Sequence, residues 1–236
     1  GKEWADETIS YLKSLPNVIV KNRSQVFGYY DHNMTVMFER VSDHIHNPDE
    51  YMPRQRLHYI RAAEVIISTG SIERPLSFGN NDRPGIFLAS AANEYMKVYG
   101  TLVGKKPIIF TNNDTAYKTA IEFHKNNIKS MIVDTRQSSD GELVKEAQSL
   151  GLDIKFNSGI ADVKGRLKVT SAIIGKFNSD KESYSSLEEF DCDCICMSGG
   201  WTPTVHLSSQ AGNKLKFDES IDAFVPNNKR QKETAV

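Results

Sequence analysis

The sequence predicts an α/β fold: a central βαβ piece with an antiparallel meander near each end. Three observations carry this. Glu64-Val65-Ile66-Ile67-Ser68-Thr69-Gly70 is a continuous β-branched run ending in small residues, which suits a parallel strand buried on both faces. Pro107-Ile108-Ile109-Phe110, a polar turn, a helical stretch to 126 and Ser130-Met131-Ile132-Val133-Asp134 spell a βαβ unit. Short β-rich segments outside that unit have the spacing of antiparallel strands.

Taken in order, residues 3–15 read as a helix with Ala5, Ile9 and Leu12 on one side, stopped at Pro16-Asn17. Val18-Ile19-Val20 follows as a short strand, and residues 25–30, 35–41 and 56–62 as β segments. The loop 42–55, with its prolines and acidic residues, is expected to be exposed. A proline-bearing crossover leads from Arg74-Pro75 to a helix over 90–99, with Gly100 at its C-cap. Asn113 or Asp114 caps the helix of the βαβ unit. A second helix over 141–150 ends at Gly151 and leads into a strand at 153–156. Lys164-Gly165 makes a hairpin turn before a strand over 167–177, and the polar stretch 178–189 separates it from a cysteine-bearing strand.

Lys and Arg number 29 against 30 Asp and Glu in 236 residues, a net charge of −1. That balance argues against a nucleic-acid or anionic-membrane surface. No apolar stretch approaches the roughly 18–20 residues that span a bilayer. The start, Gly1-Lys2-Glu3-Trp4, lacks a signal-peptide run and a Met, which suggests a piece cut from a longer chain. Cys192, Cys194 and Cys196 alternate along one strand and are expected on one face of it, as reduced thiols of a cytoplasmic protein. They offer neither zinc knuckles nor good disulfide geometry.

Two strand ends leave room for a ligand: Ser68-Thr69-Gly70 and Ser198-Gly199-Gly200. The plain alternative is a pair of tight strand-to-loop turns. No G-x-G occurs in the chain, so the dinucleotide fingerprint is missing. The βαβ unit carries Thr111-Asn112-Asn113-Asp114 where glycines would admit a diphosphate, and Asp114 would repel one. Asp134, about 20 residues further on, sits where a ribose-binding acid belongs, but without the glycines it reads as a solvated strand-end acid. That nucleotide site reads as vestigial. Asp43, His44 and His46 read as a solvated loop with no metal ligand set indicated, His124 falls on the central helix, His58 and His206 are isolated, and no catalytic triad can be defended from spacing. The terminal Glu233-Thr234-Ala235-Val236 has the form of a carboxylate-capture ligand.

Several long segments resemble the α subunit of heterotetrameric sarcosine oxidases and related amine and proline dehydrogenase subunits. They are Val26-Phe27-Gly28-Tyr29-Tyr30-Asp31-His32-Asn33, Pro53-Arg54-Gln55-Arg56-Leu57 and Ser68-Thr69-Gly70-Ser71-Ile72-Glu73-Arg74-Pro75-Leu76. Asn81-Asp82-Arg83-Pro84-Gly85, Phe110-Thr111-Asn112-Asn113-Asp114 and Ser198-Gly199-Gly200-Trp201-Thr202-Pro203-Thr204-Val205-His206-Leu207 complete the set.

The resemblance implies a two-dinucleotide-binding, glutathione-reductase-like flavoprotein fold with an inserted βαβ domain. On that pattern, residues 1–83 and 190–236 form one partial dinucleotide-binding domain and residues 84–189 the insert. It further implies NAD in the full-length subunit, with Val26 at the adenine end, Thr69 and Gly70 beside the ribose and diphosphate, and Gly199, Gly200 and Trp201 closing the far side. FAD and FMN would be associated with a partner β subunit, with small subunits completing a heterotetramer. The parent reaction would be the oxidation of sarcosine to glycine, with peroxide and methylene-tetrahydrofolate formed. No catalytic residue is expected in this chain, which would be an inactive, cofactor-adjacent fragment. A stand-alone protein-interaction module with a vestigial nucleotide-binding fold is the alternative.

Overall fold

The computed structural model describes residues 2–178 and 183–227. The terminal tetrapeptide, Glu233 to Val236, lies outside them. The chain divides into two units, Gly1–Gly70 with Pro203–Val236, and Ser71–Thr202.

In the first unit, α1 (Lys2–Ser14) precedes an antiparallel sheet of β1 (Ser24–Tyr30), β2 (Met34–Arg40) and β3 (Gln55–Arg61), in that order. Register places Val26 opposite Met37 and Gly28 opposite Val36, with a bulge between. After Pro203 come α5 (His206–Gln210) and a hairpin of β14 (Leu215–Asp218) and β15 (Ala223–Pro226). The Gln210 carboxamide accepts the Tyr29 N–H at 3.1 Å, joining α5 to β1. Two expected strands are absent. Val18-Ile19-Val20 is irregular with Ile19 exposed, and residues 64–70 form no strand, Ile66 being 92% exposed. A run buried on both faces needs parallel neighbours, and the described strands of this unit are all antiparallel.

The second unit is built in three layers. Its middle is a parallel sheet in the order β5 (Ile86–Leu88), β12 (Cys194–Ser198), β6 (Pro107–Thr111), β7 (Met131–Asp134) and β8 (Asp153–Lys155). On one face, α2 (Ala89–Tyr99), α3 (Tyr117–Lys125) and α4 (Glu142–Ser149) pack Ala92, Tyr117, Ala120, Phe123 and Val144 against Ile109, Ile132, Cys194 and Cys196. On the other, Ile108, Phe110, Val133, Ile195 and Met197 meet Ile160, Val163, Ala172 and Ile174. These come from an antiparallel sheet of β9 (Gly159–Lys164), β10 (Ser171–Asn178) and β11 (Ser183–Asp191). Successive strand side chains thus go to opposite layers, as the pleat requires. Gly100 ends α2 at φ 62°, its N–H bonding the Met96 carbonyl, so the expected C-cap is present. β4 (Ser71–Glu73) and β13 (Trp201–Pro203) form a short ribbon.

Two expectations need correction here. The cysteine strand does not return to the first unit: β12 lies between β5 and β6, and the units part at 70/71 and 202/203 rather than at 83/84 and 189/190. The side chains of β12 are buried on both faces, as the interior of a parallel sheet covered by a layer on each side requires. From within the stretch 178–189 read as a polar separator, β11 runs over Ser183–Asp191; its exposed Ser and Glu residues carry no hydrophobic signal, and its pairing to β10 is supplied by the fold.

The cysteines are buried and free, but they do not share a face. Cys194 and Cys196 join the helix-side core, while Cys192, which precedes the strand, packs on the opposite side. Burial first, then the neighbouring Cys194 and acids, pushes the Cys192 thiol up to about 12; the Cys194 hydrogen bond and burial raise Cys196 well above its ordinary range. Thiolates are the reactive form. The native chain is therefore expected to show no fast-reacting thiol towards a disulfide reagent at pH 8, and three after unfolding. Rapid modification of the native chain would contradict this packing.

Asp193, just before β12, accepts the Lys105 and Lys106 N–H groups, each at 2.7 Å. Burial would raise its pKa, but these bonds outweigh burial and hold the pKa below the usual aspartate range. Its stabilisation is complete above the unfolded value of about 3.9 and is lost as pH falls through the lower folded value. Acid titration of stability should accordingly steepen below about pH 4, and Asp193→Asn should flatten that limb. An unchanged acid limb would remove the role.

Candidate nucleotide-binding turn and adjoining cleft

The carboxyl ends of β5, β12, β6 and β7 and the turns after them form the region where open parallel sheets place ligands. The turn after β6 is filled by its own side chains. Thr111, fully buried, donates from Oγ1 to the Asn113 carbonyl at 3.0 Å and to the Ser198 carbonyl at 3.2 Å. Asn113 donates from Nδ2 to the Ser198 carbonyl and hydroxyl, each at 3.1 Å, while its Oδ1 accepts the Thr115 N–H at 3.0 Å. Thr115 Oγ1 accepts the Trp201 indole N–H at 2.8 Å. Asn113, one of the two cap residues expected from sequence, thus caps the 3-10 turn Asp114–Ala116 that leads into α3, whose own N-cap, Ala116, makes no side-chain bond, and it takes the amide a phosphate would need.

Asp114 and Asp134 complete the occupancy of this turn. Arg136 reaches Asp114 Oδ1 at 2.7 Å through Nη1, and Asp134 at 2.7 Å and 3.0 Å through Nη2 and Nε. Tyr117 donates its hydroxyl to Asp134 Oδ2 at 2.7 Å. The solvated reading of Asp134 is therefore wrong: it is fully buried, because Arg136 supplies a fixed, two-pronged counter-charge. That hydrogen-bonded pairing raises the Arg136 pKa, while burial and then Asp134 raise the Tyr117 phenol. A dinucleotide does not fit this turn as built. The cap donor is taken, a carboxylate adjoins it, and the ribose-position acid is committed to Arg136.

The other proposed cofactor residues divide between the units. Val26 is an exposed residue of β1 beside the bulge. Thr69 donates from Oγ1 to the Thr204 carbonyl at 2.8 Å, and the Gly70 carbonyl accepts the Thr204 N–H at 2.9 Å. Those three belong to the first unit. Gly199, Gly200 and Trp201 are in the second, where the Gly199 N–H bonds the Arg74 carbonyl at 2.7 Å and the Gly200 carbonyl accepts the Arg74 N–H at 2.8 Å.

Beside the filled turn lies a cleft of about 320 Å³ lined by Glu73, Ser90, Asn93, Thr115, Lys118, Thr119, Leu143 and Trp201. Glu73 is 5% exposed. Its Oε2 accepts both the backbone N–H of Ser90, at 2.8 Å, and the Ser90 hydroxyl, at 2.6 Å, in the first turn of α2. Of this lining, only Trp201 is among the cofactor positions expected from sequence. Glu73 and Ser90 are 17 residues apart on different elements, a separation no local pattern reports.

In the loop 42–55, Asp43 binds Arg54 Nε at 2.9 Å and Gln55 Nε2 at 2.7 Å. These contacts, Gln55 foremost, lower its pKa. Among the described residues, no helix is long and apolar enough to cross a membrane.

No protein-family model matches the chain. It is 33% identical over 226 residues to the sarcosine oxidase subunit alpha of Corynebacterium sp. strain P-1, covering 94% of this chain and 23% of that protein. The subunit of the same name from Rhizobium meliloti strain 1021 is 35% identical over 230 residues, with 94% and 22% covered. Among solved structures, the L-proline dehydrogenase of P. horikoshii matches at TM-score 0.59 and 21% identity, over 95% of this chain and 36% of that one. The thioredoxin reductase of T. acidophilum matches at TM-score 0.63 and 14% identity, over 91% and 62%. An FAD-dependent pyridine nucleotide-disulphide oxidoreductase from Desulfovibrio vulgaris matches at 0.54 and 13%, over 86% and 52%. The mixed α/β fold with its parallel sheet is therefore one it shares with these solved oxidoreductase structures. In sequence, nearly the whole chain resembles a stretch making up less than a quarter of sarcosine oxidase α subunits.

Proposed function

We propose that the chain is a structural, cofactor-adjacent segment of a sarcosine oxidase-like α subunit, an oxidoreductase component acting on CH–NH donors. The observation that carries this reading is the continuous likeness over 94% of the chain to a protein of which it spans only 23%. In the complete subunit, NAD would lie along Val26, Thr69, Gly70, Gly199, Gly200 and Trp201. FAD and FMN would be associated with a β partner, small subunits would complete a cytoplasmic heterotetramer, and methylene-tetrahydrofolate would carry away the one-carbon unit. The unit Ser71–Thr202 would be the insert, wider than the span 84–189 read from sequence.

The role of this chain's own residues is structural. Asn113, Asp114 and Arg136 close the turn of the insert against a diphosphate, and the absence of any G-x-G removes the usual cradle from the 236 residues. Charge-assisted bonds contribute about 1.5–3 kcal/mol each. Without two or three of them, NAD should bind the chain with a Kd no tighter than about millimolar. Isothermal titration with NAD, alongside oxygen uptake with sarcosine, tests the reading; the expected result is weak or no heat and no uptake. A micromolar Kd would overturn it.

A further inference from the structure

We propose that the cleft lined by Glu73, Asn93, Lys118 and Trp201 binds a small molecule through its ammonium group. This site is separate from the dinucleotide positions proposed above, except that Trp201 borders both.

The hydrogen-bond inventory of the lining points to a ligand that brings donors. The Thr119 hydroxyl donates to the Ala89 carbonyl at 3.0 Å, and the Thr115 hydroxyl to Asn113 Oδ1 at 2.6 Å. The Trp201 N–H is spent on Thr115 Oγ1, and both Ser90 donors on Glu73 Oε2. Acceptor capacity remains at Glu73 Oε1 and at the buried Asn93 Oδ1, which has no hydrogen-bond partner, beside the donors of the Asn93 amide and of the exposed Lys118. Both donors on Glu73 are neutral, so a carboxylate only 5% exposed is held by dipoles, an arrangement that favours an incoming cation. Trp201 supplies an aromatic wall, the surface organic cations prefer, and about 320 Å³ suits a small molecule. Lys118, exposed in the lining, distinguishes two sources of that ammonium. It opposes a bare alkylammonium, and it attracts a zwitterion whose carboxylate lies at the rim.

The chain has two tryptophans, Trp4 and Trp201, so Trp4→Phe leaves Trp201 as the sole reporter. In that background, titration with methylammonium and, separately, with glycine should change the emission saturably for at least one of them, whereas acetate should not. Glu73→Gln keeps an acceptor for Ser90 and should weaken binding at least about tenfold. Asn93→Ala should weaken it too. Lys118→Ala should tighten a bare ammonium or loosen the zwitterion. NAD at millimolar concentration should not compete, which keeps this result apart from that of the NAD titration. The proposal is overturned if neither ammonium compound saturates, if acetate binds equally well, or if Glu73→Gln and Asn93→Ala, both folded by circular dichroism, bind as the parent does.

Discussion

Arg136→Ala is expected to destabilise the second unit by about 3–5 kcal/mol, the cost of leaving a buried charge without its partner. Asp134 is fully buried, and Arg136 answers both of its oxygens while also holding Asp114. Removing the guanidinium leaves Asp134 with the Tyr117 hydroxyl as its one side-chain donor. It also leaves Asp114 with Ser139 alone. Arg136→Lys should recover only part of the loss, because an ammonium cannot span Oδ1 and Oδ2 as a planar fork does. Replacing both partners by Leu should cost less than Arg136→Ala, since no orphaned charge remains. Urea unfolding followed by Trp201 emission in the Trp4→Phe chain reads this unit. A change below about 1 kcal/mol for Arg136→Ala would place the pair among weak surface bridges.

That ion-pair cluster illustrates where sequence reading stops. The strands 107–111 and 131–134 and the helix between them were legible, with Asn113 as the cap of the short 3-10 turn that leads into that helix, because hydrophobic period and capping chemistry are local. The position of Asp134 is legible but its surroundings are not, since Arg136 is a neighbour in sequence whose fork could equally have pointed to solvent. Glu64 to Gly70 failed for the opposite reason. Its β-branched composition is genuine, but a strand exists only where a neighbouring ladder receives it. β11 escaped notice because tertiary pairing overrides an exposed, serine- and glutamate-rich pattern. The cleft was invisible because Glu73, Ser90 and Trp201 converge only once β4, α2 and β13 have assembled.

The paired glycines after β12 give the second large effect, and it separates a structural from a ligand-binding reason for their presence. A Cβ on Gly199 would stand 2.8 Å from the Pro75 carbonyl oxygen and 3.3 Å from that of Arg74. Both are backbone atoms, and the Gly199 N–H already bonds the Arg74 carbonyl at 2.7 Å, so this crossing cannot loosen without losing its hydrogen bond. Gly199→Ala should cost about 1–3 kcal/mol, the range of an overpacked site. Gly200 has a different constraint, a φ of +95° that L side chains rarely adopt, and Gly200→Ala should cost about 1–3 kcal/mol through backbone strain. The close approach of the 74–75 segment therefore accounts for the first glycine and the turn for the second, with no bound diphosphate required. If stability is the reason, each alanine variant lowers the urea midpoint while any weak NAD signal of the folded chain stays where it was. If both variants are as stable as the parent and lose NAD binding, the glycines serve the cofactor and the packing account fails.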